Sequence, residues 1–459
     1  MAIVDTINSI KEHINDAYGI VEEKGGTIPQ NKNLENLSDS IGSISGGDAP
    51  TPLFNGHYDK QGLKEIGYDD ETIEWYQKNG VAWNQTDDYK FILTNEDKSF
   101  YGLGENDFIQ GSTETTKKQS VLSFLPLFNL SKVSLSYAFN SYYSLLTIPK
   151  LDTSKVTNMS SMFAYCYALL TIPQINTSLV STMNNMFVGC YSLMTIPELD
   201  TSKVTNMGYM FSSCYSLEKI PQLNTSLVNN MQAMFYQCYS LKTIPQLDTK
   251  ISTTFSNMFR NCNSLKSVPF LDMTATKTTV YMFASCYALK NIQEIDVPNA
   301  TEMGNMFEYC YSLMDVKIVN SPKVTSMQYI MRGCYSLKNA EIMNNPNTTN
   351  MGYAFFSCYS LKSVKVGNST KLTNIASIFY SCYVLEEIDF SNIDLTKLTG
   401  FASAFTNCGS KLTNGKLTKV YVKDEASQNW VLTANNGHPT TWSTANVIIA
   451  GSSADDRNL

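Results

Sequence analysis

The side chains of this chain best suited to chemistry are its cysteines, which stand at 166, 190, 214, 238, 262, 286, 310, 334, 358, 382 and 408. Thiolates hold soft metals, attack electrophiles or cross-link, and a zinc ribbon needs them in C-x-x-C pairs. No C-x-x-C occurs; the first ten cysteines instead follow one another every 24 residues without a slip. Histidine is found only at His13, His57 and His438, too scattered to suggest a triad or a histidine metal site. The phosphate loop G-x-x-x-x-G-K-S/T, the G-x-S-x-G elbow and H-E-x-x-H are all absent. Paired carboxylates could hydrolyse a glycosidic bond, but most carboxylates of the repeats sit in D-T-S strings, which read as solvated turns. The sequence therefore predicts no catalytic residue, no metal and no cofactor.

A fixed period of 20–29 residues is the mark of a leucine-rich-type solenoid. Counted from each cysteine, one unit reads C-Y-S-L-x-x-I-P-x-L-D-T-S-x-V-T-N-M-x-x-M-F-x-x, as in CYALLTIPQINTSLVSTMNNMFVG from Cys166. An earlier unit begins at Tyr142 in the cysteine slot and the last at Cys408, which makes twelve units. L-x-x-I-P-x-L predicts a short strand, and D-T-S a turn, because these side chains bond nearby backbone groups. The apolar 3–4 spacing of V-T-N-M-x-x-M-F predicts a short helix or helical turn, with Thr or Asn before the first Met as its N-cap. No unit can bury its apolar face alone, so stacking must build columns. One is leucine, from Leu145 to Leu385. Another is phenylalanine, from Phe163 to Phe379, with Met331 on one rung. The cysteines form a third, and buried free thiols acting as small hydrophobes are the expectation.

The proline seven residues after each cysteine slot, at Pro149, Pro173, Pro197, Pro221, Pro245 and Pro269, gives way to Gln293, Lys317, Glu341, Lys365 and Asp389. Proline cannot donate to a sheet ladder. Broken strands are expected in the first half, and regular ones in the second, with a row of ion pairs on an exposed face.

The string LDTSKVTNMSSMFAYC at 151–166 resembles the BspA-like leucine-rich repeats of bacterial surface proteins and mycoplasma lipoproteins, and the resemblance covers about 131–410. It implies adhesion to host or partner surfaces rather than catalysis. The fold expected is an α/β repeat solenoid of leucine-rich-repeat type over 131–415, with short parallel strands.

One column has no evident duty in such a core: Tyr143, Tyr167, Tyr191, Tyr215, Tyr239, Tyr287, Tyr311, Tyr335, Tyr359 and Tyr383, interrupted by Asn263. Tyrosine beside serine gives large contact area at low entropy cost. These ten are the candidate receptor-binding residues; the alternative is that the rings only shield a flank of the solenoid.

Before the repeats, Ile3, Ile7, Ile10, Ile14, Ala17 and Val21 are spaced 4, 3, 4, 3, 4, a heptad seam. Isoleucine at both seam positions favours three or four strands over two, so Ile3, Ile7, Ile10, Ile14 and Val21 are the expected oligomerisation residues, a trimer being favoured. Residues 1–47, with KGGTIP at 24–29 and then Leu34, Leu37, Ile41 and Ile44, resemble the N-terminal segment of bacteriophage tail and fibre proteins. A linker at 48–53 leads to a small adaptor domain at 54–112, where Trp75, Trp83 and Tyr89 form either a core or a sugar site. Residues 113–130 and 416–459 are expected to cap the two solenoid ends.

The net charge of −7 and the presence of only three arginines, Arg260, Arg332 and Arg457, argue against a nucleic-acid partner. The N-terminus has no secretory pattern, and no run of 18 apolar residues occurs. The reading that joins these features is a non-catalytic phage virion adhesin, made in the host cytoplasm. It would bind a host cell-surface protein or glycan and associate with other virion proteins. Its alternatives are a bacterial surface or secreted adhesin and a fibre-borne glycan depolymerase.

Overall fold

The computed structural model describes residues 134–458, except 144, 146, 147, 149–152, 414, 434–438 and 440. The expected N-terminal segment, linker, adaptor domain and N-terminal cap lie outside these residues. The described chain is a parallel-strand solenoid whose successive units are bridged at Ser134, Asn158, Thr182, Asn206, Asn230, Thr254, Thr278, Glu302, Ser326, Asn350, Asn374 and Gly400. The step between these positions is the 24-residue period, lengthened to 26 at the last.

The predicted helical turn is not a helix. In the unit ending at Cys166, alternate N–H groups go to different places. Those of Met159, Ser161, Phe163 and Tyr165 donate to carbonyls of the next unit, at Thr182, Asn184, Met186 and Val188. Those of Met162, Ala164 and Cys166 close four-residue turns onto Met159, Ser161 and Phe163. The backbone achieves this by entering the left-handed region twice per unit, at Ser161 (φ 54°) and Tyr165 (φ 62°) here and at the equivalent positions throughout. A helix would have kept every amide inside its own unit; the double turn exports half of them to the neighbour. Asn158, read as an N-cap, does accept the amide two residues on, from Ser160 at 2.9 Å, but it opens this turn instead.

The core columns form as the spacing demands. The Phe rings stack with centroids 5.5 Å apart from Phe163 to Phe187 and 5.8 Å from Phe187 to Phe211, and Met331 is buried on its rung. All eleven cysteines are free and buried. Their regularity has a reason beyond size: from Cys166 to Cys382 each thiol donates to the carbonyl of the Phe column one unit back, as Cys190 Sγ does to Phe163 O at 3.1 Å, with Met331 O taking the place of Phe for Cys358. That carbonyl also receives the Cys166 amide, so one cysteine per unit completes its second lone pair. The D-T-S turn behaves as read. The Asp200 carboxylate accepts the Ser202 amide at 3.0 Å, and buried Thr201 donates to Asn224 O at 2.8 Å.

The strand face divides at the prolines. Regular strands begin only after Pro269: β1 Ile295–Asp296, β2 Asp315–Asn320, β3 Asn339–Ile342, β4 Ser363–Val366 and β5 Glu387–Phe390, all parallel and in sequence order. In the proline half, glutamine side chains supply donors between units. Gln174 reaches Glu198 O and Gln222 reaches Gln246 O, each at 2.7 Å.

The charged row is in the expected register, with Lys317, Glu341, Lys365 and Asp389 side by side. Its pairing differs from expectation. Lys317 binds Glu294 at 2.6 Å, and only Lys365 and Asp389 approach within the row, at 3.8 Å. Asp389 is buried rather than exposed, because Arg457 from the chain's end folds over it at 2.8 Å.

The sheet continues through β6 Lys419–Val422, then helix α1 Glu425–Thr433, then β7 Val447–Ile449. The outer edge of β7 is closed: Gln428 of α1 donates to Val447 O at 2.6 Å, and the Ser452 amide donates to Ile449 O. An open edge would invite further pairing.

Two glycines obey a rule between units. At the left-handed position before the cysteine, Gly189 follows Tyr165 one unit earlier, and Gly333 follows Tyr309. A Cβ on either would lie 2.7 or 2.6 Å from the preceding tyrosine's Cδ1. The tyrosine ring therefore occupies its neighbour's side-chain space. Gly333→Ala is expected to destabilise by about 1–2 kcal/mol through the clash and the left-handed backbone. Tyr309→Ala should recover part of that loss in a double-mutant cycle measured by urea unfolding. Additive effects would show that the ring does not set the requirement.

Candidate functional site

The ten predicted tyrosines fall on one flank, directly after the buried cysteines. Cysteine and leucine at positions +0 and +3 point inward, so the residue at +1 is held at the rim. The rings form two stacks. Tyr143, Tyr167, Tyr191 and Tyr215 follow one another at centroid separations of 4.7, 4.5 and 4.5 Å, with Tyr239 next at 4.8 Å. After Asn263 the second stack runs Tyr287, Tyr311, Tyr335, Tyr359 and Tyr383, at 4.7, 4.7, 4.8 and 5.5 Å. Lys411 closes its far end, with Nζ 4.0 Å from the Tyr383 ring centre.

This geometry decides what the stripe can offer. Inside a stack each ring face is covered by the next ring, so a partner meets ring edges and hydroxyls, repeated at every unit. The rings are half-exposed, reaching 40 % at Tyr359. Burial, with the neighbouring phenols adding to it, pushes the Tyr167, Tyr191, Tyr215, Tyr239 and Tyr311 hydroxyls above the ordinary tyrosine range. They stay protonated near neutrality and can both donate and accept. The predicted oligomerisation residues Ile3, Ile7, Ile10, Ile14 and Val21 lie outside the described residues.

A second kind of aromatic cluster escaped the sequence reading because it occurs in only two of the units. Arg332 lies over the rings of Tyr309 and Tyr329, each at 5.4 Å, and Phe356 at 5.6 Å, and it binds Glu308 at 3.2 Å. Arg260 sits 4.3 Å over Tyr281. The available signal was composition: two of the chain's three arginines occupy the same repeat position, two residues before a cysteine, among tyrosines.

Among the described residues no group of three or more His, Cys, Asp or Glu side chains could hold a metal ion. No helix there is long and apolar enough to cross a membrane.

Comparison with known proteins agrees with the repeat geometry. Residues 287–412 match the BspA type leucine rich repeat region, in six copies. Over those residues the solenoid is of the BspA leucine-rich type. Residues 133–243 and 216–316 match a family described as "Mycoplasma protein of unknown function, DUF285". Among solved structures, it is similar to a leucine-rich repeat protein from Bacteroides ovatus, at 22% identity and TM-score 0.43 over 69% of this chain and 90% of that one. It is also similar to a leucine rich cell surface protein from Faecalibacterium prausnitzii, at 18% identity and TM-score 0.30, over 64% and 91% of the two chains. A third is an internalin from Listeria monocytogenes, at 13% identity and TM-score 0.27, over 62% and 79%. No curated protein matches the chain.

Proposed function

We propose that the protein is a non-catalytic adhesin that holds a cell-surface protein or glycan along its tyrosine stripe. The observation that carries this reading is the pair of five-ring stacks, which present a long, regular row of ring edges and phenol hydroxyls that the buried columns do not require. Tyrosine is enriched where binding energy concentrates, and the solenoid supplies a rigid, extended support for it. The repeat family favours an adhesive scaffold. The resemblance of residues 1–47 to phage tail and fibre proteins supports a place on a virion, assembled in the host cytoplasm beside other virion proteins. The BspA-type repeats equally suit display on a bacterial surface. Gold-labelled antibody against the full chain, viewed on purified virions and on intact bacteria, separates the two. Saturable binding of the labelled chain to bacterial cells is expected of a virion protein, and to host or partner cells of a bacterial surface protein; the absence of both would count against adhesion altogether.

Oligomerisation through Ile3, Ile7, Ile10, Ile14 and Val21 is the attachment half of the proposal. A charge placed on an apolar seam is costly unless it is paired. Ile7→Asp combined with Ile14→Asp is expected to convert the full chain from oligomer to monomer in analytical ultracentrifugation. Unchanged sedimentation would remove the coiled-coil reading and leave the stripe untouched.

A further inference from the structure

The stripe is uniform except at Asn263, and the interruption has a geometry of its own. Every interior ring has both faces covered by neighbouring tyrosines. At Asn263 one ring is missing, so one face of Tyr239 and one face of Tyr287 turn toward a common gap. Two solenoid steps separate these rings, roughly 9–10 Å at the strand spacing, against 4.5–4.8 Å between stacked neighbours. That leaves room for one six-membered ring at stacking distance from each side. Without a neighbour beyond it, Tyr239 tilts 28° from Tyr215, whereas the preceding pairs differ by 11°, 2° and 1°. Tyr287 is 38 % exposed.

The floor of the gap is polar. With its amide oriented as its neighbours require, Asn263 donates from nitrogen to Ser285 O at 2.9 Å and to Asn261 O at 3.3 Å. Both contacts hold the side chain down and use its nitrogen, which leaves the carbonyl oxygen as the acceptor for a ligand. The adjoining Ser264 is half-buried at the rim. The slot thus has two aromatic walls and a hydrogen-bond-accepting base.

We infer that the gap between Tyr239 and Tyr287 over Asn263 is a subsite for a single pyranose ring of a surface glycan. This rests on the proposal that the tyrosine stripe is the binding surface, and it specifies the ligand's chemistry there. The negative faces of the two tyrosines suit the polarised C–H groups of a sugar ring, and a sugar hydroxyl donates to the Asn263 oxygen. An aromatic side chain would fit the walls equally well. It would, however, bury that oxygen with no donor, which is unfavourable. The flanking phenol hydroxyls provide donors and acceptors for the sugars on either side.

The test uses the full chain on an array of pyranose-containing oligosaccharides, followed by saturation-transfer NMR with methyl pyranosides and with N-acetyltyrosinamide. Asn263→Tyr is the decisive variant. It restores the residue found in the other ten units of the column, so the fold should be kept while the slot is filled. The expected result is capture of at least one glycan by the wild type and a loss of at least tenfold in Asn263→Tyr, with circular dichroism unchanged. Tyr287→Ala should show the same loss. The inference is overturned if no pyranoside binds, if Asn263→Tyr binds as well as the wild type, or if N-acetyltyrosinamide is taken in place of sugar. If cell binding survives Asn263→Tyr but falls with substitutions at Tyr167, Tyr191 and Tyr215, the stripe stands and the slot does not. The opposite pattern leaves the slot and removes the extended stripe.

Discussion

Phe235→Ala is expected to cost about 3–5 kcal/mol, the range for deleting a buried aromatic side chain. It should also divide unfolding into two steps. The ring is fully buried and stacks on Phe211 at 5.6 Å and on Phe259 at 5.5 Å. Its loss therefore weakens two unit-to-unit contacts at once. In a solenoid each unit touches only its neighbours, so stability is close to a sum of unit and interface contributions. A weakened rung in the middle leaves the units before and after it intact as separate blocks. Urea unfolding followed by hydrogen exchange should show the two blocks losing protection at different denaturant concentrations. Phe235→Met is the control, because Met331 already fills a rung between Phe307 and Phe355. It should cost less than about 1.5 kcal/mol. Equal losses for Ala and Met would mean that the column does not carry the stability assigned to it.

The thiols should be almost inert in the folded protein. Burial pushes every cysteine up, and Cys358 and Cys408 reach about 12 from an ordinary 9.0. The thiolate is the nucleophile, so at pH 8 a shift of that size lowers its population by about a thousandfold. Access is closed as well, since all eleven side chains are buried. Alkylation by iodoacetamide is expected to leave native protein unmodified over the time in which urea-unfolded protein gains eleven labels, read by intact mass. Because the folded pKa is raised, labelling of the native protein should stay far slower than that of the unfolded chain at every pH from 7 to 9. Rapid native labelling at any of the ten 24-spaced positions would contradict the buried column.

Much of this architecture was legible because every unit makes the same statement. A period of 24 and columns of one residue type leave few arrangements that bury all of them together, and the prolines from Pro173 to Pro269 announce the loss of strand. The segment from Met159 to Cys166 was misread for a physical reason. Apolar residues three and four apart satisfy a helix, but they equally satisfy a double turn whose inward residues face a core. The hint lay at the intervening positions, where Asn185, Asn257, Asn305 and Gly189 are residue types that accept a left-handed backbone. The burial of Asp389 was not legible, since its partner Arg457 arrives from far along the chain. In the stripe, sequence alone indicated which tyrosines align. Only the ring spacing shows that their faces are covered by one another, and that the one gap lies over Asn263.

Binding of the fluorescently labelled full chain to intact bacterial cells, compared between the wild type and the Tyr167→Phe, Tyr191→Phe, Tyr215→Phe triple variant, bears most directly on the adhesin reading. Phenylalanine keeps the stack and removes only the hydroxyls, which lie where a partner must touch. The account predicts unchanged circular dichroism and thermal unfolding with at least a tenfold loss of cell binding. Full binding by the folded triple variant would contradict it and return the tyrosine column to a purely structural role.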